Sequence, residues 1–441
     1  MFKGILKLSV FSSWIILPLV LVCSPNLPGV IPITLISLFL SATFGINSYI
    51  AITGSLGSSN KALISKSFIY KSIKYCFFMT LFIAIVGNQH DYILYGNHWR
   101  AILDGMNPWV GTGNAYGPIH VLFAPLYGIS KVIPKILFFL ALSSSIYFSI
   151  FSKLDFNNDL SFSAKKLNLL VYGFCPFVVI TAALYGNNDA LVSALIIYSI
   201  TIIKSSNVRF YIKSLISGFS LAVASMIKFY PLVVAPVFMI RKRKIDIAFC
   251  LSFFSTCFGI ALLSYSRWAE TIFNPVLFAT GRPSKHLSFF NFSRTILNLD
   301  FDDYSIYFVV ISFIISLIIV QFFKFDLIPA VIITLASVLT MYKVGNQQYY
   351  LLFFCITPLL ARYLYSYDLS LNKPLIKSYI LWLSYLNFYQ IQYHLTCGMW
   401  TNSGKIFRDY GSIFHVIFSV YLMFQIFNLL VKNRSALSNE K

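Results

Sequence analysis

The side chains equipped for chemistry are few and far apart in this chain. Asp91 opens a polar stretch running to Pro118, the longest polar-rich interruption in the first half of the sequence, with Arg100 and Tyr116 inside it. Asp189 lies in the bend Gly186-Asn187-Asn188-Asp189-Ala190, and Lys228 stands between two apolar runs. Arg282, Lys285 and Arg294 belong to a basic stretch, and Gln348 and Tyr349 open a later apolar run. A lysine held near an apolar core asks for an anion such as phosphate, or else snorkels to a headgroup layer. The basic stretch suits an anionic headgroup, or is ordinary solvated polarity. Asp91 reads as an acid placed at a helix N-terminus by the dipole, and Asn188 or Asp189 as a helix cap.

Other chemistries lack their residues. No Walker loop, nucleophile elbow or HExxH occurs, so a cytosolic nucleotide-driven mechanism has no support. His394 and Cys397 have a ligand-like spacing, but two candidates do not make a metal site. Asp300, Asp302 and Asp303 are a weak cation signal, and no residue is assigned to a metal. The seven cysteines form no CxxC and read as small buried hydrophobes.

The elements that position these groups are apolar. The chain has 441 residues, 58% hydrophobic and only 11% charged, far from the quarter charged of a soluble domain. Repeated runs approach the ~20 apolar residues that span a bilayer. The fold class is therefore all-α, a polytopic helical membrane protein whose partner is the lipid bilayer. The length rule gives about 14 transmembrane segments: 8–23, 29–52, 72–87, 134–151, 168–184, 189–203, 213–227, 229–240, 246–265, 304–323, 327–342, 348–363, 376–391 and 411–431. The N-terminal run lacks a small-residue cleavage site and reads as a retained first helix.

Net charge is +20, from 34 Lys and Arg against 14 Asp and Glu. The basic residues cluster between apolar runs in every second loop, which is the positive-inside pattern and not a nucleic-acid footprint. Both termini then face the cytoplasm of a plasma (inner) membrane. The loops 88–133, 185–188, 266–303, 343–347 and 392–410 and the bend at Lys228 face outward. Nearly all the groups named above fall on that side. In the first of these loops Tyr92, Tyr95, Trp99 and Ile102 recur at helical spacing, an aromatic stripe suited to the lipid interface, with Gly105 and Pro108 ending the helix. No repeat or linker divides the chain, so 1–441 is one integral domain, with 1–60 a two-helix N-terminal addition.

At these residues the chain resembles the GT-C superfamily of polytopic glycosyltransferases, and most closely the GPI-mannosyltransferase-like enzymes and their bacterial polyprenol-phosphate-mannose-dependent relatives. The resemblance rests on Asp91-Tyr92, Arg100, Gly105-Met106-Asn107-Pro108-Trp109 and Tyr116-Gly117-Pro118-Ile119. It continues in the Gly186–Ala190 bend, in Lys228-Phe229-Tyr230-Pro231, and in Gln348-Tyr349 before Pro358-Leu359. These occur in order over roughly residues 88–362. One departure is plain: Gln89-His90-Asp91 stands where many members carry Asp-x-Asp, which leaves a divalent cation open.

The resemblance implies inverting transfer of a hexose, mannose by the nearest likeness, from a polyprenyl-phosphate-linked donor to a glycan or glycolipid acceptor at the outer face. Asp91 is then the general base, in the catalytic outer loop 88–133. Lys228 and Arg100 meet the phosphate, with Arg282, Lys285 or Arg294 of the second outer loop, 266–303, sharing that role. Tyr116 and Asp189 line the sugar or acceptor site, and Gln348 and Tyr349 bind substrate. The competing readings are a flippase or transporter of a lipid-linked saccharide, and a polysaccharide polymerase or ligase.

Overall fold

In the computed structural model the described residues are 30–56, 66–87, 90–110, 116–156, 159–241, 244–366, 373–396 and 402–439. The apolar runs become helices, because a backbone out of water must satisfy its hydrogen bonds within its own segment. The first candidate segment, 8–23, lies outside the described residues. The next is the helix Val30–Leu56, which packs on Lys373–Leu395 and Phe162–Gly173. There Asn387 Nδ2 donates to Ser41 Oγ at 3.4 Å, and Asn168 Nδ2 to the Ala51 carbonyl at 3.3 Å.

Among the described residues, six helices are long and apolar enough to cross a membrane: Pro32–Thr53, Ser67–Val86, Ile133–Phe151, Phe210–Ile227, Ile247–Phe278 and Asp302–Phe322. A seventh arises if Phe162–Gly173 and Pro176–Leu184, bent by 49°, form one span. The chain is a multi-pass membrane protein. The other described runs that fourteen segments would require also wind as helices, but Asp189–Lys204 has 16 residues and Leu327–Met341 has 15. At 1.5 Å per residue these reach about 24 Å, short of a ~30 Å hydrocarbon layer. Both are wrapped by other helices and carry most of their side chains buried. The least enclosed spans are Ile247–Phe278 and Asp302–Phe322, which expose Phe254, Phe258, Leu263, Ile311 and Ile318, an apolar surface fit for lipid chains.

The connecting loops gather at two ends. At one, Asn107 Nδ2 donates to Thr271 Oγ1 at 2.9 Å and Asn274 Nδ2 to the Trp109 carbonyl at 2.9 Å, joining the loops around 107 and 271. The Gly117 amide donates to the Ile227 carbonyl at 2.9 Å. Short parallel strands, Lys285–His286 and Val344–Gly345, join two further loops. At the other end Lys204 Nζ meets Asp326 at 2.5 Å, and the Asp155 amide donates to the Lys204 carbonyl at 2.7 Å.

The anchor of that second end is Arg362, only 1% exposed. Its guanidinium donates to Asp159 at 2.8 and 2.9 Å, and to the carbonyls of Ser149 and Ser152 at 2.5 and 2.9 Å. Lys165 Nζ completes the cluster at 2.6 Å from Asp159. Burial works to raise the Asp159 carboxyl, but the bonds from Lys165 and Arg362 outweigh it and hold the group below its ordinary value. Arg362→Ala orphans two buried carbonyls, so unfolding in detergent should show a loss of about 2–3 kcal/mol. A variant as stable as the parent would remove this cluster from the account of the fold.

Candidate active site

The first polar stretch folds as the helix His90–Leu103. It ends as its glycine suggests: Gly105 takes φ +74°, its amide donates to the Ile102 carbonyl at 3.0 Å, and the Met106 amide to the Ala101 carbonyl at 2.7 Å. That pattern is a Schellman cap. The aromatic stripe, however, does not face lipid. Tyr92, Tyr95 and Trp99 are buried in the protein, and exposed Ile93, Leu94 and Leu103 take the outward side. The spacing shows that the aromatics share a face; what that face meets depends on the neighbouring loops.

What it meets is polar. The Tyr95 hydroxyl donates to Asn187 Oδ1 and stands 3.1 Å from Asn188 Oδ1. Asn188 Nδ2 lies 3.2 Å from His120 Nδ1. The Asn188 amide thus bridges the Tyr95 hydroxyl and the His120 ring. Trp99 Nε1 donates to the His120 carbonyl at 2.9 Å. The imidazole is flanked by Trp99 at 5.0 Å and Tyr116 at 4.7 Å between ring centroids. Burial first, then the nearby His98 and Lys228, push the His120 pKa well below its ordinary value. Burial pushes His98 down to about 4.

Beside this cluster lies a buried ion pair. Asp189 is fully buried, Lys228 is 6% exposed, and the ammonium contacts Asp189 Oδ2. The bend that carries Asp189 follows one turn of π-helix, Val179–Leu184. A Cβ on Gly186 would stand 2.5 Å from Lys135 Cγ, so the chain passes here only as glycine. Neither Asn188 nor Asp189 behaves as the cap their types suggested. Asn188 occupies the N-cap position of Asp189–Lys204 with no side-chain capping bond, because its amide is engaged with Tyr95 and His120. Lys228 does not snorkel, since Asp189 holds it inside. It lies 5.6 Å from the Tyr116 ring centroid and 5.3 Å from that of Tyr349, between two aromatic faces. Tyr230 lies against Asp189 and 5.5 Å from Tyr349.

Tyr116, Asp189, Lys228 and Tyr349, four of the residues selected by sequence, thus come together from four separate segments. Gln348 is buried beside Tyr349. Arg282 stacks on Phe278 at 5.2 Å and lies near Tyr342, whose ring is 6.1 Å from Tyr349. Lys285 sits in the short strand paired with Val344. Arg294 staples its own loop: it donates to the Ser284 carbonyl at 2.7 Å and faces Asp302 at 3.9 Å. Asp302 also accepts from the Ser284 amide at 2.7 Å, and the described residues hold no group of three or more His, Cys, Asp or Glu fit for a metal. Arg100 is exposed, bonded to Asn97 Oδ1 and to the Gly96 carbonyl at 3.3 Å, and is not brought to the Lys228 pair. Asp91 occupies the first turn of its helix, and its side chain lies outside the described residues, as does Cys397.

Sequence reasoning passed over Tyr95, His120, Asn187 and Asn188 as site residues. Tyr95 carried a signal, sharing the helical stripe with Tyr92 and Trp99. His120 carried none, because a lone histidine beside an apolar run has no spacing to read.

The model of glycosyltransferase family 87 matches residues 115–357, 243 of the 441 residues, a stretch that includes Tyr116, His120, Asp189, Lys228 and Tyr349. No curated protein matches the chain.

Two outcomes follow for stability. Removing one partner of a buried ion pair leaves the other uncompensated, at a cost of about 3 kcal/mol. Lys228→Met and Asp189→Asn should each destabilise, and together cost clearly less than their sum; additive losses in a double-mutant unfolding cycle would show no coupling. A buried neutral histidine opposes protonation that the unfolded chain accepts. His98 therefore contributes stability fully above pH 6.5, and that contribution is lost as pH falls from 6.5 toward about 4. His98→Gln should flatten the fall in Tm over that window.

Proposed function

Since the chain belongs to glycosyltransferase family 87, we propose that it transfers a hexose, mannose by the sequence resemblance, from a polyprenyl-phosphate donor to a glycan or glycolipid acceptor at the outer face of the plasma membrane. The observation that carries this reading is the buried Lys228–Asp189 pair held between Tyr116 and Tyr349. An ammonium has three donors. Asp189 takes one and fixes the direction of the others, so the cation is preorganised for a phosphate oxygen at little reorganisation cost.

In this reaction the acceptor hydroxyl oxygen attacks the anomeric carbon from the face opposite the phosphate. The bond from that carbon to the phosphate oxygen breaks, and its electron pair leaves with polyprenyl phosphate. The acceptor proton passes to Asp91. That assignment is supported by the helix: Asp91 precedes Tyr95 by four residues, which puts both on one face about 6 Å apart along the axis, and the Tyr95 hydroxyl bonds the bend leading to Asp189. Asp189, with no exposure, acts through Lys228 and does not line the sugar. Tyr116 and Tyr349 supply aromatic faces. The exposed apolar spans offer the lipid tail a surface whose affinity needs no polar contact. The GT-C architecture, the cytoplasmic termini and any divalent cation belong to this proposal. The alternation of basic loops supports the orientation.

Turnover of a labelled polyprenyl-phosphate hexose in membranes tests the assignment. Asp91→Asn should lower kcat by at least about 100-fold, the scale of a positioned base, with protein level unchanged. Lys228→Ala should chiefly weaken use of the donor. Near-normal turnover by Asp91→Asn would remove Asp91 as the base.

A further inference from the structure

One bend holds polar groups that the fold itself leaves uncompensated. Lys343 is 9% exposed and pairs with no carboxylate among the described residues. Asp302 accepts from the Ser284 amide and faces Arg294, and Asp189 holds Lys228. Four residues on, Gln347 is buried at 3% exposure, and its Oε1 has no hydrogen-bond partner. The Lys343 ammonium is not among the sealed-off polar atoms and has no protein anion among the described residues, so it is open to an added one, whereas an enclosed acceptor without a donor costs free energy. One kind of ligand serves both groups.

The bend is also rigidly placed. Lys285 donates from its amide to the Lys343 carbonyl at 3.0 Å, and the Leu287 amide to the Gly345 carbonyl at 3.0 Å. A Cβ on Gly345 would fall 2.2 Å from the Leu287 carbonyl carbon, so the two segments approach this closely only because residue 345 is glycine. The register pairs Lys285 with Val344, the residue after Lys343, and the bend leads directly to Tyr349, one of the two rings around Lys228.

We infer that the bend Lys343–Gln347 recognises a sugar phosphate, Lys343 meeting the phosphate and Gln347 Oε1 accepting from a sugar hydroxyl. The inference rests on the glycosyl-transfer reading and names which part of the donor this bend holds. It separates two roles on one segment: Lys343 contributes affinity for any phosphate, whereas Gln347 contributes only when a hydroxylated ring is attached.

Equilibrium dialysis of the purified full chain in neutral-lipid nanodiscs tests it without needing turnover. The probes are inorganic phosphate, hexose 1-phosphate and free hexose. Lys343→Met should weaken both phosphate-bearing probes about tenfold, and Lys343→Arg should restore most of that loss. Gln347→Leu should weaken hexose 1-phosphate several-fold and leave inorganic phosphate unchanged. Equal losses for both probes in Gln347→Leu, or unchanged binding in Lys343→Met, would overturn the inference. So would displacement of hexose 1-phosphate by phosphatidylglycerol added to the nanodiscs, since the anion at Lys343 would then be a lipid headgroup. Hexose 1-phosphate binding with the stated variant pattern, in a protein that transfers no hexose from a polyprenyl-phosphate donor, would support the bend's role while overturning the reaction assigned above.

Discussion

A buried charge needs a partner, and the partnership of Lys228 with Asp189 constrains everything around it. Neither side chain reaches water to any useful extent, so each depends on the other. To keep them together, the end of Phe210–Ile227 must meet the start of Asp189–Lys204. The Gly117 amide bonded to the Ile227 carbonyl then draws the first polar loop over the same point. Tyr116 and Tyr349 close on the ammonium from two sides. The pair thus fixes the relative position of four segments while keeping an ammonium ready for a second anion.

Around this pair the polar residues fall into a supporting shell. Tyr95, Asn188 and His120 form a hydrogen-bonded series that fixes the imidazole in place. It also holds the ring beneath Tyr116. Burial keeps that imidazole neutral, so the shell adds orientation to the site without adding charge. The opposite end of the bundle uses ions differently. Arg362, Asp159 and Lys165 saturate one another and the ends of neighbouring helices. One end is closed electrostatically; at the other Asp189 holds Lys228 between two aromatic rings.

The sequence by itself determined the class of the molecule and the chemistry-bearing positions. Apolar runs must become helices because no other backbone satisfies itself in lipid. Scarce charges in such a chain are costly enough that each marks a place where something compensates it. Lys228 was legible for that reason, whereas Asp189, Tyr116 and Tyr349 were picked out by the family resemblance. The termination at Gly105 was legible too, because only the local backbone decides it. Their convergence was not, since the four lie in segments up to 233 residues apart and no local rule relates them.

Tertiary structure decided what each face and each polar group meets. Periodicity put Tyr92, Tyr95 and Trp99 on one side of a helix, but lipid and a protein interior reward that side equally, so only packing could choose. Residue type suggested that Asn188 or Asp189 would cap a helix; the nearness of Tyr95, His120 and Lys228 offered stronger partners than the helix amides. Apolar length suggested about fourteen crossings, whereas short helices enclosed by others, such as Asp189–Lys204, are apolar for burial against protein as much as against lipid. Lys343 and Gln347 looked like any polar bend. Their meaning depends on Gln347 Oε1 being enclosed without a donor and Lys343 having no carboxylate among the described residues, which is a property of three-dimensional neighbours alone.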